Sequence, residues 1–247
     1  MLYSWGRHEV LNSLQSKGTK PRVCWRAILL GLCILAHSSG AAFPFFQDGP
    51  PEENRAFRKP ELVELMALDS TLKLDIRYAT SNNLVGRPVY SEARAFLQRP
   101  AAEGLLRAHR ALKKQGYGLL IFDGYRPWSV TKIFWDVTPP DKRQFVANPA
   151  EGSRHNRGCA IDLSLYDLKT GREIAMPSAY DEMTERSSPD YPGGTAEQRA
   201  ARDVLRGAME QEGFTVYPNE WWHFDYKDWR DYSIQNTPFH QIERISR

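Results

Sequence analysis

Two of the six histidines in this 247-residue chain have neighbours that could do chemistry with them. His155 lies in Ser153-Arg-His-Asn-Arg-Gly-Cys-Ala-Ile-Asp162, and His223 closes Glu220-Trp-Trp-His223. Two imidazoles and one carboxylate are a common ligand set for zinc, which then keeps a fourth position open for water. The metal draws the pKa of that water toward neutrality and makes hydroxide available. A further carboxylate can take the water's proton and deliver it to a leaving amine. His155, Asp162 and His223 are therefore candidate ligands, and Glu220 is a candidate base that need not occupy the metal. Spacing alone leaves a plainer reading open. His-x6-Asp and Glu-x2-His arise often by chance, Asp162 could bond a turn, and Glu220 could be a surface charge.

Phe122-Asp-Gly-Tyr-Arg-Pro127 sets Arg126 just after an apolar run and a Gly-containing turn. A fixed guanidinium there could stabilise the oxyanion formed when water attacks an amide, or it could pair with Asp123 to secure the loop. His8 and His37 fall near the N-terminus, His109 in a helical pattern and His240 near the C-terminus; none is assigned a role.

The elements that would position these residues follow from periodicity. Residues 72–78 alternate with period two and predict a strand, as do residues 160–166. Leu105, Leu106, His109 and Leu112 predict a helix over 100–115, ending near Gly116. Tyr117–Asp123 reads as a buried strand, and Pro127 as the start of a short helix through Trp135. Asn156–Gly158 predicts a turn that lets His155 and Asp162 face each other. Lys169-Thr-Gly171 predicts a turn into a partner strand. Thr195 with Gln198 is a capping-box pattern, opening a helix to about Gln211 that Gly213 stops. Residues 214–217 and 222–226 read as closing strands. Helices and strands do not alternate regularly, which predicts α+β rather than a doubly wound sheet.

The N-terminal stretch differs from the rest. Residues 1–26 are polar and basic, Ala27–Ala36 is apolar, and small residues run to Ala42. That is the pattern of a secretory signal peptide, with a cut expected after Ala42. The apolar run is short of the ~20 residues of a membrane span; an uncleaved anchor is the alternative. The expected location is periplasmic or secreted, with no stable membrane insertion after processing. Of 33 basic and 30 acidic residues, five basic and one acidic fall in 1–42, which leaves 28 and 29, a net charge of −1. Nothing in that balance suggests nucleic-acid binding. Cys24 and Cys33 fall in the leader, and Leu32 is a poor fit for a lipoprotein site at Cys33. Cys159 alone would remain, so no disulfide framework is expected. The proline-rich stretch 43–60 reads as a linker, and 61–247 as the domain.

Taken together, Asp123-Gly-Tyr-Arg-Pro127, the stretch Ser153 to Leu163, Tyr180-Asp-Glu-Met-Thr-Glu-Arg-Ser187 and Glu220-Trp-Trp-His223 resemble the D-alanyl-D-alanine dipeptidases, zinc enzymes related to those of vancomycin-resistance gene clusters. The resemblance covers most of residues 60–230. It implies one zinc ion per chain on His155, Asp162 and His223, with Glu220 as catalytic base and Arg126 stabilising the tetrahedral transition state. It also implies that Asp181 anchors the substrate's free ammonium and that Ser153 contacts substrate. The implied fold is α+β, a small antiparallel sheet flanked by helices, shared with zinc D,D-carboxypeptidases and the hedgehog signalling domain. The implied reaction is hydrolysis of the dipeptide D-alanyl-D-alanine in cell-wall peptide turnover. Two alternatives use the same triad: a D,D-carboxypeptidase or endopeptidase of peptidoglycan, and a non-catalytic zinc-stabilised binding module. Asp181 and its stretch favour the dipeptidase, and Glu220 together with Arg126 argue against the module. Cys159 departs from the family pattern, where a small residue such as Ser is often seen, and a thiolate so near His155 could compete for the metal.

Overall fold

In chain order, the elements begin with β1 (Leu62–Glu64), α1 (Leu65–Leu68), β2 (Lys73–Leu74), β3 (Phe96–Gln98), α2 (Arg99–Lys113) and β4 (Tyr117–Asp123). They continue with α3 (Trp128–Val137), β5 (Ala160–Asp167), α4 (Ala196–Gln211), β6 (Phe214–Tyr217) and β7 (Glu220–Tyr226). The computed structural model describes residues 49–243. The leader read at 1–42, with Cys24, Cys33, His8 and His37, lies outside the described residues.

Five strands form one sheet in the order β2-β4-β5-β7-β6, antiparallel except where β2 joins β4 in parallel. Strands β1 and β3 form a separate antiparallel pair, which the sequence did not announce because three residues are too few for a period to show. Helix α4 opens on the expected capping box: Thr195 and Gln198 each bond the other's backbone N–H. Its buried residues Ala201, Leu205, Ala208 and Met209 recur at helical spacing, the single stripe by which a surface helix seals a core. Helix α2 buries Leu105, Ala108 and Leu112 in the same way, and both helices join one hydrophobic core with the inward residues of the sheet.

The register of the three central strands matters most. Asp123 on β4 is paired with Asp162 on β5, and Asp162 with His223 on β7. Directly paired residues point to the same face, so these three polar side chains form a row across the sheet at the end of β4. They are nearly inaccessible, at 1%, 3% and 8% exposure. Burial of that kind demands partners.

Three expectations change. The strand read at 72–78 is only two residues long; after Asp75 N–H bonds Ile121 O, the chain turns into a 3-10 helix at Arg77–Ala79. Leu72, Ile76 and Tyr78 are nonetheless buried, so the alternation recorded which residues face inward rather than continuous pairing. The partner strand expected after Gly171 is reduced to one bridge, Tyr166 with Glu173. The proline-rich stretch read as a linker is, from residue 49 onward, fastened to the domain. Glu53 pairs with Arg157 at 2.7 Å and accepts Ile234 N–H at 2.9 Å, and Arg58 pairs with Asp231 at 2.7 Å. Prolines exclude a regular element there, but they do not prevent docking through charged side chains.

Candidate metal centre

The turn before β5 is a 3-10 helix, His155–Arg157, closed by Gly158 at φ 69°. That left-handed conformation is costly for any residue with a Cβ, and it reverses the chain so that His155 comes back over Asp162. The His155 Nε2 to Asp162 Oδ1 distance is 3.3 Å, His223 Nδ1 lies 3.0 Å from the same oxygen, and the two ring nitrogens are 3.1 Å apart. Among the described residues, these three make the group of side chains able to hold a metal ion, with all ligand atoms within 4.8 Å of one another.

Hydrogen bonds on the far side of each ring fix what faces inward. His155 Nδ1 donates to Gly124 O at 2.7 Å, and His223 Nε2 donates to Asp225 Oδ1 at 3.1 Å. Each imidazole that donates outward presents a lone pair inward. The inward atoms are then two nitrogen lone pairs and Asp162 Oδ1, a buried oxygen with no hydrogen-bond donor. Three electron-rich atoms held this close call for positive charge between them, a metal cation or shared protons. The donor set fits a borderline metal such as zinc. Without one, the charge must be met by protons. Burial disfavours the charged form of His223, but Asp225 and Asp162 hold its pKa well above the usual imidazole value. Burial likewise opposes ionisation of Asp162, but the two imidazoles hold its pKa well below the carboxylate range.

Sequence reasoning missed Asp225 and Gly124. A histidine and an aspartate two apart share one face of a strand, so His223-x-Asp225 carried a signal. A backbone carbonyl carries none. Gly124 is also held at Phe96: a Cβ there would come within 2.6 Å of Phe96 O. Replacing Asp225 with Asn is expected to weaken zinc about 10–100-fold, read by competition with a chromophoric chelator. An unchanged affinity would remove Asp225 from this role.

The candidate metal-binding group opens onto a cleft of about 420 Å³ that also receives Arg126, Asp181, Ser153 and Glu220. Glu220 Oε2 is 3.6 Å from His223 Nδ1. On a regular strand Glu220 and His223 would face opposite ways; a register shift between Val216 and Tyr217 opposite the start of β7 lets them meet. Burial pushes the Glu220 carboxyl up to about 8. Asp181 sits in the left-handed region at φ 61°, unusual for a residue with a side chain and best tolerated by Asn and Asp. Its two oxygens accept from Tyr78 Oη at 3.1 and 2.8 Å, and burial pushes its carboxyl up to about 7. Tyr180 Oη lies 3.1 Å from both Tyr78 Oη and Asp162 Oδ2, so two hydroxyls connect Asp181 to a member of the metal-binding group.

Arg126 pairs with Asp123, Nε to Oδ2 at 2.9 Å and Nη2 to Oδ2 at 2.8 Å, and its Nη2 reaches toward Asp162 Oδ2 at 3.7 Å. The two readings of Arg126 are therefore compatible: Asp123 secures it while it faces the cleft. Ser153 is buried, and its Oγ accepts His155 N–H at 3.2 Å. Cys159 is wholly buried in the core, where burial raises its thiol well above the usual value. Its thiol is not among the side chains that converge on Asp162 Oδ1. His109 is a structural residue, its Nδ1 accepting Leu119 N–H at 3.2 Å.

Two raised carboxyls give the metal-free protein a distinctive pH dependence. A carboxyl whose pKa is higher folded than unfolded adds stability below its unfolded pKa, and that stability is lost as pH rises through the folded value. For Asp181 and Glu220 the loss spans the interval from ordinary carboxyl values near 4 up to about 7 and about 8. The melting temperature of the chelated protein is expected to fall between pH 5 and 8.5, and Glu220→Gln should flatten that fall. An identical profile in the variant would remove Glu220 as a source.

A family model described as D-ala-D-ala dipeptidase, Peptidase_M15, matches residues 58–242. Among curated proteins, the chain is 33% identical over 179 residues to a D-alanyl-D-alanine dipeptidase of Escherichia coli, spanning 72% of this chain and 91% of that protein. It is 37% identical over 175 residues to one of Enterococcus faecium, spanning 64% and 87%. It is 38% identical over 172 residues to one of Enterococcus faecalis, spanning 62% and 85%.

Proposed function

The chain belongs to the D-ala-D-ala dipeptidase family of metallopeptidases, and on that premise we propose that it hydrolyses the free dipeptide D-alanyl-D-alanine with one zinc ion held by His155, Asp162 and His223. The observation that carries this reading is the pair of outward-donating imidazoles around the donor-less Asp162 Oδ1. Zinc, when bound, polarises the scissile carbonyl and lowers the pKa of water.

The chain's own residues do the rest. Glu220 accepts a proton from the attacking water and returns it to the leaving amine. Burial raises its carboxyl pKa in the metal-free protein, and a cation beside it would draw that value back down toward the ionised form that accepts a proton. Arg126, held by Asp123, brings fixed positive charge to the place where negative charge grows on the carbonyl oxygen. Asp181 receives the substrate's ammonium, and Ser153 contacts substrate near His155. A half-buried carboxylate gains from a free ammonium and is left unpaired by a peptide blocked or extended at its N-terminus, which selects for a free amino end next to the scissile bond.

The zinc-loaded protein should release D-alanine from D-alanyl-D-alanine, and a chelator should stop it. Release that survives chelation would sink the metal reading. Efficient cleavage of a pentapeptide stem would instead make this a carboxypeptidase. From the sequence pattern of residues 1–42 we place the enzyme outside the cytoplasm, where it would salvage D-alanine from wall turnover. An intact cytoplasmic chain would count against that placement. No helix among the described residues is long and apolar enough to cross a membrane.

A further inference from the structure

The dipeptide is a zwitterion, and Asp181 answers only its ammonium. Three cationic side chains line the cleft: Arg126, Arg154 and Arg157. Two are committed. Arg126 is held by Asp123 through two nitrogens. Arg157 is held by Glu53 through two nitrogens and by Tyr232 O.

Arg154 is different. It meets one carboxylate with one nitrogen, Nη1 to Asp225 Oδ2 at 3.2 Å, and its Nε is buried with no partner. Its guanidinium lies 4.8 Å from the centre of the Trp229 ring and 5.8 Å from that of Tyr217. Aromatic neighbours fix the plane of a guanidinium and thin the water around it, which strengthens whatever anion it receives. The two charges hang from different members of the metal-binding group. Asp181 connects through Tyr78 and Tyr180 to Asp162, and Arg154 connects through Asp225 to His223.

We propose that Arg154 is a specificity-determining residue that receives the C-terminal carboxylate of the dipeptide, so that the cleft matches both charged ends of its substrate. This rests on the dipeptidase reading above. A guanidinium with donors free suits a carboxylate, and a substrate extended or amidated at its C-terminus would lose the pairing. The competing role for Arg154 is to hold Asp225, and through it the His223 ring. That role would affect every substrate alike.

The test is calorimetric binding of D-alanyl-D-alanine and of its C-terminal amide to zinc-loaded Glu220→Gln protein, with Arg154 intact and with Arg154→Gln added. With Arg154 intact, the acid should bind at least about ten-fold more tightly than the amide, the scale of one charge-assisted hydrogen bond. With Arg154→Gln that preference should shrink to within about two-fold, the amide affinity and the zinc content being little changed. Arg154→Lys, which keeps the charge and not the fork, should retain part of the preference and checks that loss of fold is not the cause. Equal weakening of both ligands by Arg154→Gln, or equal binding of acid and amide to the Arg154 form, overturns the assignment. Failure of the native enzyme to release D-alanine from the dipeptide overturns the dipeptidase reading instead, and the assignment with it.

Discussion

Replacing Glu220 with Gln is expected to lower the turnover of the zinc-loaded protein about 10²- to 10⁴-fold, the usual contribution of a general acid–base group, while one zinc ion stays bound. Gln keeps the shape of the side chain and part of its hydrogen bonding, but it cannot take a proton from water. Glu220 lies beside the metal-binding group and is not a member of it: the three converging side chains are His155, Asp162 and His223, with Glu220 Oε2 at 3.6 Å from His223 Nδ1. Metal retention and catalysis should therefore separate. Single-turnover kinetics on D-alanyl-D-alanine, with elemental analysis of the same sample, reads both. Zinc lost along with activity would make Glu220 a ligand, and activity kept would leave the reaction without its base.

Replacing His155 with Ala should abolish both activity and stoichiometric zinc. The variant removes one of three ligands and strands two groups. Gly124 O loses the donor that reaches it at 2.7 Å, and Asp162 loses the imidazole at 3.3 Å. Loss of an outer partner alone costs zinc about 10–100-fold, so loss of a ligand should exceed that range in a chelator titration. The effect should also be larger than that of Asp225→Asn, which leaves all three ligands in place. If the two variants hold zinc equally well, His155 is not a ligand.

The candidate site was legible in the sequence wherever its function rests on side-chain chemistry, and less so where it rests on geometry. Four short stretches, far apart in the chain, carried the residues that share the cleft. Their proximity could not be read, because it depends on the register that sets Asp123, Asp162 and His223 in one row. The approach of Glu220 to His223 depends on an irregular strand pairing that Glu-x2-His does not encode. Gly124 serves through its carbonyl, and Tyr180 through a hydroxyl next to the residue that drew attention, Asp181. In the fold, the longer helices and the central strands followed from their periodicity and caps. What escaped were elements of two to four residues, β1, β3 and α1 among them, and residues 72–78, where an inward-facing alternation belongs mostly to a turn.

The ion pair between Glu53 and Arg157 bears on how the chain can be matured. Arg157 stands two residues after His155, in the turn that carries that imidazole, and Glu53 answers it from upstream of the family match at residues 58–242. The leader cleavage proposed after Ala42 would spare this clasp. Proteolysis past residue 53 would strip a nearly inaccessible guanidinium of its counter-charge, within the turn that shapes the metal-binding group. The N-terminus of the domain is thus bounded on its downstream side, and truncation is tolerable only ahead of Glu53.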